Sequence, residues 1–406
     1  MIPLDVSVIA GLGEVDARAE RVTGVQVDSR RIQPGDLFVA VGRGAAFRAD
    51  ALRRGAAATL LPDDAFAALG RIGRAVRERS SARVIGITGS MGKTSTKDIL
   101  AALCTPVART VAAEASFNNE IGVPLTLCRL EPDTEICILE LAMRGFGQIA
   151  GLCEIGRPEI GVITNVGPVH LELVESIEGV TRAKGELVEA LSAGGIAIVP
   201  ETFPVDRDDI DIVRLGEPDA EFRDGRMVVG GVSFNFTARH HAQNAAAALA
   251  ALDALGLPRP ERVDVDFSRW RGEETELPGG GLLINDAYNA NPVSMRAALA
   301  YLAERAGGRR RVAILGEMAE LGRTASAYHR EVGEAAAELG VDELLAVGEL
   351  AQRYLDGGVA GRWAPNVEEA LSELDDVVRP GDAVLLKASR AVGLEALAEA
   401  LTRVTA

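Results

Sequence analysis

The run TGSMGKTS, from Thr88 to Ser95, has the make-up of a phosphate cradle. It follows the apolar run VIGI, read as a strand, and opens KTSTKDILAALC, read as a helix. Glycines at 89 and 92 let backbone N–H groups turn inward, and the helix N-terminus adds partial positive charge. Lys93 can then reach terminal phosphates, while the Thr94 hydroxyl can ligate Mg²⁺. The loop departs from the common Walker spacing, because Ile87 stands where the first glycine usually falls. The alternative is a plain glycine turn with a solvated lysine, but strand and helix both stand in register with the motif.

Three further residues could join that chemistry. Glu140 closes the apolar strand EICILEL, where a carboxylate would project beside the loop. A buried strand-end glutamate calls for a cation or a partner. His170 follows a second apolar strand in TNVGPVHLE, and alone it reads as a structural loop residue. Lys184, in TRAKGELVEAL, alone reads as a surface lysine.

Elements able to position these residues recur along the chain. At 406 residues the chain is too long for one ordinary core, so two or three domains are expected. Residues 1–82 hold short β-like runs and a charged helical stretch. From 83 to 258, strand-like VIGIT, EICILEL, EIGVITN and GIAIVP alternate with helical patterns. From 259 to 406 the alternation is strict, with GLLIND, RRVAILG, ELLAVG and DAVLLKAS separated by helices. The pattern predicts an α/β protein: a small N-terminal domain, a central parallel sheet of the P-loop ATPase kind, and a C-terminal doubly wound, Rossmann-like sheet.

Composition narrows the function. A net charge of −16 with no basic, aromatic-rich cluster disfavours nucleic acid as a partner. No apolar run is long enough to span a bilayer, and the N-terminus is a poor signal peptide. Cys104, Cys128, Cys137 and Cys153 lack metal-like spacing and read as reduced core residues of a cytoplasmic protein. No G-x-G-x-x-G follows a strand with a suitably spaced acid, which argues against an ordinary dehydrogenase.

The segments ASFNNEIGVPLTL, LELAMRGFGQI, ITNVGPVHLE, AKGELVEAL, INDAYNANPVSM and LGEMAELG together resemble the Mur ligases. DAYNANP and LGEMAELG are similar to the branch that adds D-alanyl-D-alanine to UDP-N-acetylmuramoyl-tripeptide in peptidoglycan precursor synthesis. The tight TGxxGKT loop is also that family's form. The DNPR signature of the ligase adding the third residue is absent, as is the DGAHNP form of folylpolyglutamate synthases.

The resemblance implies an ATP-dependent ligase that makes an acyl phosphate, with two Mg²⁺ ions, acting as a monomer. It places Gly89, Ser90, Met91, Gly92, Lys93, Thr94 and Ser95 on the ATP phosphates, and Thr94, Glu140 and His170 at metal positions. It makes Lys184 a lysine carbamylated by CO₂, a further metal ligand. Lys93, Lys184 and His170 become the catalytic set. Asn244 matches an adenine contact, although His241 stands where asparagine is more usual. Arg271, Asp286, Tyr288, Asn289 and Asn291 match an ATP-contacting set in the C-terminal domain. Asn118, Asn119 and Arg144 match positions near the donor peptide. Glu317, Lys387, Ser389 and Arg390 match loops near the incoming dipeptide, with KASR in place of the commoner KGSR. Asp28, Ser29 and Arg30 match a turn that holds UDP, whereas GRGAAFRAD replaces the usual DGH-x-F-like element and leaves Phe47 as the aromatic candidate.

Two rivals stay open: a Mur-like ligase joining a different acid and amine, and a noncatalytic nucleotide-binding scaffold. Intact Lys93, Thr94, Glu140, His170 and Lys184 argue against the scaffold.

Overall fold

The computed structural model describes residues 1–403 and gathers them into two compact units. The first comprises Met1–Asn165, Thr181–Thr237 and His241–Asp266; the second comprises Val166–Val180, Ala238–His240 and the chain from Phe267.

The first unit is organised around a six-stranded sheet. Its order is Asp211–Leu215, Ile196–Pro200, Ile160–Ile163, Arg83–Thr88, Ile136–Glu140 and Thr110–Ala112, and every pairing is parallel. Ile136–Glu140 and Ile160–Ile163 are buried along their whole length, as expected where helices cover both faces. The strand before the phosphate loop lies between these two. Ile87 pairs with Glu140 and Thr88 with Ile163, so three strand ends meet at one level.

In the N-terminal part, Gly24–Gln26, Asp36–Val39 and Ala58–Pro62 pair in parallel, and Gly13–Ala17 closes the edge antiparallel to the last. The helix Ala65–Arg77 starts on Asp64, whose side chain accepts from the Phe66 and Ala67 amides.

One part of this unit departs from the expected strand–helix alternation. Ala220–Arg223, Arg226–Val229 and Val232–Phe234 form an antiparallel meander, to which Arg262–Val263 adds a parallel edge strand. Asp224-Gly225 and Gly230-Gly231 make its two-residue turns. All three glycines and Asp224 have positive φ, as tight hairpins demand. These dipeptides are legible hairpin signals that the alternation reading passes over.

The second unit holds another six-stranded sheet, ordered Glu273–Leu277, Gly281–Asn285, Ala383–Lys387, Arg311–Gly316, Glu343–Val347 and Gly361–Ala364. Here the expectation of parallel strands needs one correction. Glu273–Leu277 pairs antiparallel with Gly281–Asn285, because only the short Pro278–Gly280 turn separates them and a parallel return needs a crossover. The remaining pairs are parallel.

Side-chain alternation decides what each face of that sheet covers. Ile284, Ala313, Leu315 and Leu385 pack with Leu299, Leu302 and Val332 from two helices. Leu283, Val312, Ile314 and Leu386 pack with Leu374, Val377 and Leu397 from two others. The last parallel strand, Ala383–Lys387, inserts between Gly281–Asn285 and Arg311–Gly316, which makes a topological switch point. In such sheets, the crevice at the carboxyl ends of the strands is where ligands bind.

Candidate active site

The phosphate loop is shaped by two glycines that tolerate no side chain. Gly89 has φ +152°, and a Cβ there would collide with Thr164 Oγ1; at Gly92, with φ +76°, it would collide with Asn244 Oδ1. The loop is then tied to the neighbouring strand end. Asn165 Oδ1 accepts from the Met91 amide at 2.9 Å, the Asn165 carbonyl accepts from the Ser90 amide, and Thr164 Oγ1 donates to the Met91 carbonyl at 2.5 Å. Thr164 and Asn165 were not singled out from the sequence. Their signal is the polar pair that follows the apolar strand in ITNVGPVH.

Gly92 caps the helix Lys93–Cys104 in a left-handed conformation. Lys93 Nζ folds back onto the Gly89 carbonyl at 2.7 Å, within the loop. Thr94 is 1 % exposed, and its Oγ1 donates to Glu140 Oε2 at 2.9 Å. Asn118 Nδ2 donates to the other carboxylate oxygen at 2.8 Å, so Glu140 is fixed from two sides. Asn118, expected near the donor peptide, is thus engaged with the carboxylate. Asn119 accepts from the Ile121 and Gly122 amides, and Arg144 is exposed at the start of a turn closed by Gln148.

Lys184 contradicts the bare expectation of a surface lysine. It sits on the helix Ile177–Glu189 and is 2 % exposed. Burial pushes its ammonium well below the ordinary lysine range, and the Lys93 charge pushes in the same direction. The neutral amine is therefore favoured beside the phosphate loop. Asn244 and His241 are both buried on the helix His240–Ala254, within hydrogen-bond distance of each other at 3.3 Å.

Mg²⁺ takes hard oxygen ligands and keeps company with phosphates. The Glu140 carboxylate and Thr94 hydroxyl supply such oxygens at the mouth of a loop whose glycines leave the backbone bare. These residues fit a magnesium–nucleotide site.

In the second unit, His170 has φ +54° and its Nδ1 is paired with Glu320 Oε2. Glu320 itself has φ +63°, and its carbonyl accepts from the Glu172 amide, so two loops are clasped together. Glu320 was not anticipated as the partner of His170.

At the carboxyl ends of these strands, residues of the expected ATP-contacting set and of the expected dipeptide loops touch one another. Lys387, 2 % exposed at its strand end, bonds Asp286 Oδ2 at 2.5 Å and the Asn289 carbonyl at 2.9 Å. Ser389 donates its amide to the Glu317 carbonyl and accepts from the Ala319 amide. Glu317 Oε1 accepts from the Leu350 amide. Arg271 stacks on the Tyr288 ring at 4.3 Å, and its buried Nε has no partner among the described residues. Arg390 lies 4.5 Å from the ring centre of Trp270, an unanticipated member held at φ +62°. Asn291 caps the helix Pro292–Arg305 through a reciprocal bond with Ser294.

In the N-terminal turn, Arg30 grips Asp28 through Nε and Nη2 of its guanidinium and through its own amide, holding that carboxyl down at about 2. Ser29 bonds to Asp50. Phe47 is 52 % exposed. The four cysteines are buried and unpaired, and burial pushes each thiol up to about 12. No helix among the described residues is long and apolar enough to cross a membrane.

Comparison with known proteins agrees with this geometry. Residues 87–252 match the Mur ligase middle domain, and residues 270–390 match the Mur ligase glutamate ligase domain. The chain is 35 % identical to the UDP-N-acetylmuramoyl-tripeptide–D-alanyl-D-alanine ligase of Mycobacterium tuberculosis, over 97 % of this chain and 95 % of that protein. The crystal structure of MurF from Acinetobacter baumannii superposes with a TM-score of 0.85 at 27 % identity, covering 99 % of both chains. MurF from Thermotoga maritima, solved in complex with ADP, gives 0.78 at 26 % identity, covering 94 % of this chain and 97 % of that one. The chain belongs to the Mur ligase family, in its UDP-N-acetylmuramoyl-tripeptide–D-alanyl-D-alanine ligase (MurF) branch.

Proposed function

We propose that this protein is a cytoplasmic, ATP-dependent ligase that joins D-alanyl-D-alanine to UDP-N-acetylmuramoyl-tripeptide in peptidoglycan precursor synthesis. The observation that carries the reading is the phosphate loop laced to Glu140 through Thr94, in a chain similar along nearly its whole length to ligases of that name. Three domains divide the work: residues 1–82 for the UDP end, 83–258 for the ATP phosphates, and 259–406 for the remaining nucleotide and dipeptide contacts.

Amide formation from a carboxylate in water is uphill, so the carboxylate must first be given a better leaving group. The donor's terminal carboxylate attacks the γ-phosphate, ADP leaves, and the dipeptide amine displaces phosphate from the resulting acyl phosphate. Two anions must meet in the first step. Lys93 and the backbone amides after Gly89 offset that repulsion, while Glu140, Thr94 and His170 provide the metal-binding groups. Mg²⁺ held by these groups, as two ions, would offset charge developing on the transferred phosphoryl group.

Lys184 belongs to this set as its carbamate. A buried, neutral amine is the form that adds to CO₂, and the product is an anion where an ammonium would oppose Lys93. The carbamate oxygens are hard ligands of the kind magnesium accepts.

The test is mass spectrometry of the product formed with UDP-N-acetylmuramoyl-tripeptide, ATP and D-alanyl-D-alanine in competition with other amines. A UDP-linked pentapeptide is expected. ADP release with no such product would overturn the assignment in favour of a ligase of another acid and amine.

A further inference from the structure

Lys97 is a buried cation that the proposed chemistry does not use. It lies one turn beyond Lys93 on the same helix and is 2 % exposed. A buried ammonium is costly unless its three donors are satisfied. Nζ meets that demand with the Ala113 carbonyl at 2.9 Å, the Ala115 carbonyl at 2.8 Å and Asp98 Oδ1 at 2.8 Å. Two of the three partners are backbone carbonyls of one connecting segment, between the strand Thr110–Ala112 and the helix Gly122–Leu127. Ala115 there has φ +45°, a left-handed conformation that a non-glycine residue holds only when its surroundings impose it.

That segment leads directly to the metal-binding carboxylate. Three residues beyond Ala115, Asn118 donates to Glu140 Oε1 at 2.8 Å, and its own carbonyl accepts from the Ala142 amide at 2.9 Å. The other Glu140 oxygen is held by Thr94, which shares a helix with Lys97. The contacts therefore close a ring from helix to segment, to Asn118, to Glu140, to Thr94 and back to the helix.

We propose that Lys97 is a positioning residue for magnesium binding, which sets the orientation of the Glu140 carboxylate by pinning the segment that carries Asn118. The inference rests on the reading of Glu140 as a metal ligand. A lysine serving only the stability of its helix would leave the metal site unaffected. Partners that orient a metal's ligands typically change affinity by about 10- to 100-fold when removed.

The experiment uses the full chain with ADP and follows Mn²⁺ binding by electron paramagnetic resonance, with amide hydrogen exchange over residues 113–118 and at Ala142. In Lys97→Met, Mn²⁺ affinity is expected to fall by about tenfold, with faster exchange at those amides and unchanged ADP affinity without metal. Asn118→Ala should reproduce the metal loss, and it carries the test if the Lys97 variant does not fold. Unaltered Mn²⁺ affinity in folded Lys97→Met, or in Asn118→Ala, would overturn the proposal. Failure of the unsubstituted chain to bind Mn²⁺ would instead overturn the Glu140 reading, and this inference with it.

Discussion

Thr94 Oγ1 and Glu140 Oε2 lie 2.9 Å apart, although 46 positions separate them in the chain. The parallel register that pairs Ile87 with Glu140 brings them together, since it ends both strands at the level where the phosphate loop begins. The hydroxyl and the carboxylate thus present oxygens to the same small volume. Glu140→Gln keeps the shape and the bond from Thr94 but removes the charge, and should sharply raise the Mg²⁺ concentration needed for half-maximal activity. An unchanged Mg²⁺ requirement would remove Glu140 from the metal site.

Lys93→Ala removes the cation proposed to meet the transferring phosphoryl group while leaving the helix start, capped by Gly92, intact. Turnover should fall by about 3 kcal/mol in transition-state stabilisation or more, with an unchanged melting temperature. Normal ligation by the folded variant would exclude this loop as the ATP site.

Carbamylation of Lys184 requires the neutral amine, which burial and the neighbouring Lys93 favour. The enzyme incubated with ¹³C-labelled bicarbonate should show a carbamate resonance that Lys184→Ala lacks. Acidification should erase the resonance and the activity together, because protonation of the amine reverses CO₂ addition. Low activity of Lys184→Ala should be partly restored by a small carboxylic acid. Full activity in an enzyme with no carbamate signal would count against the role.

His329 supplies a second pH dependence, this time in stability. Its buried ring lies between the Met318 amide, which donates to Nε2, and the Ala325 carbonyl, which accepts from Nδ1. Burial holds its pKa below the ordinary 6.5, so the native ring stays neutral where the unfolded one gains a proton. That contribution is fully present above the unfolded value and is lost as pH falls toward the depressed native one. Thermal denaturation from neutral pH to about 5.5 should therefore show a shallower decline for His329→Gln than for the unsubstituted chain. Parallel declines would dismiss the histidine as the cause.

Asn291 offers a choice between two roles. Its side chain accepts from the Ser294 amide as a helix cap, so Asn291→Ala should cost about 1 kcal/mol of stability. A raised KM for ATP with no loss of stability would return the residue to nucleotide contact.

The N-terminal part, proposed to hold the donor's nucleotide end, has Asp28 and Arg30 already satisfying each other and Phe47 exposed. Few uridine contacts predict a high KM for the donor with little loss of kcat, since these contacts lie far from the reacting carboxylate. Comparing the UDP-linked muramyl tripeptide with the same peptide lacking UDP measures their value. Equal kcat/KM for the two would sink the UDP assignment.

Much of the molecule is determined locally and can be read from the chain alone. The glycines and lysine of TGSMGKTS, the apolar strands and the helices between them follow from backbone freedom and side-chain periodicity over a few residues. The tertiary structure decided which distant groups share an environment. Lys184 looks like any surface lysine until its helix is packed, and only then does desolvation turn its ammonium toward the neutral amine. Thr164 and Asn165 brace the phosphate loop only because their strand lies beside that of Ile87. Glu320 meets His170, and Lys97 meets Ala113 and Ala115, through contacts that no local pattern encodes. The antiparallel edge at Glu273–Leu277 was settled by a turn too short for a crossover. Periodicity states what each segment is; register and burial, which depend on partners far along the chain, set what each side chain can do.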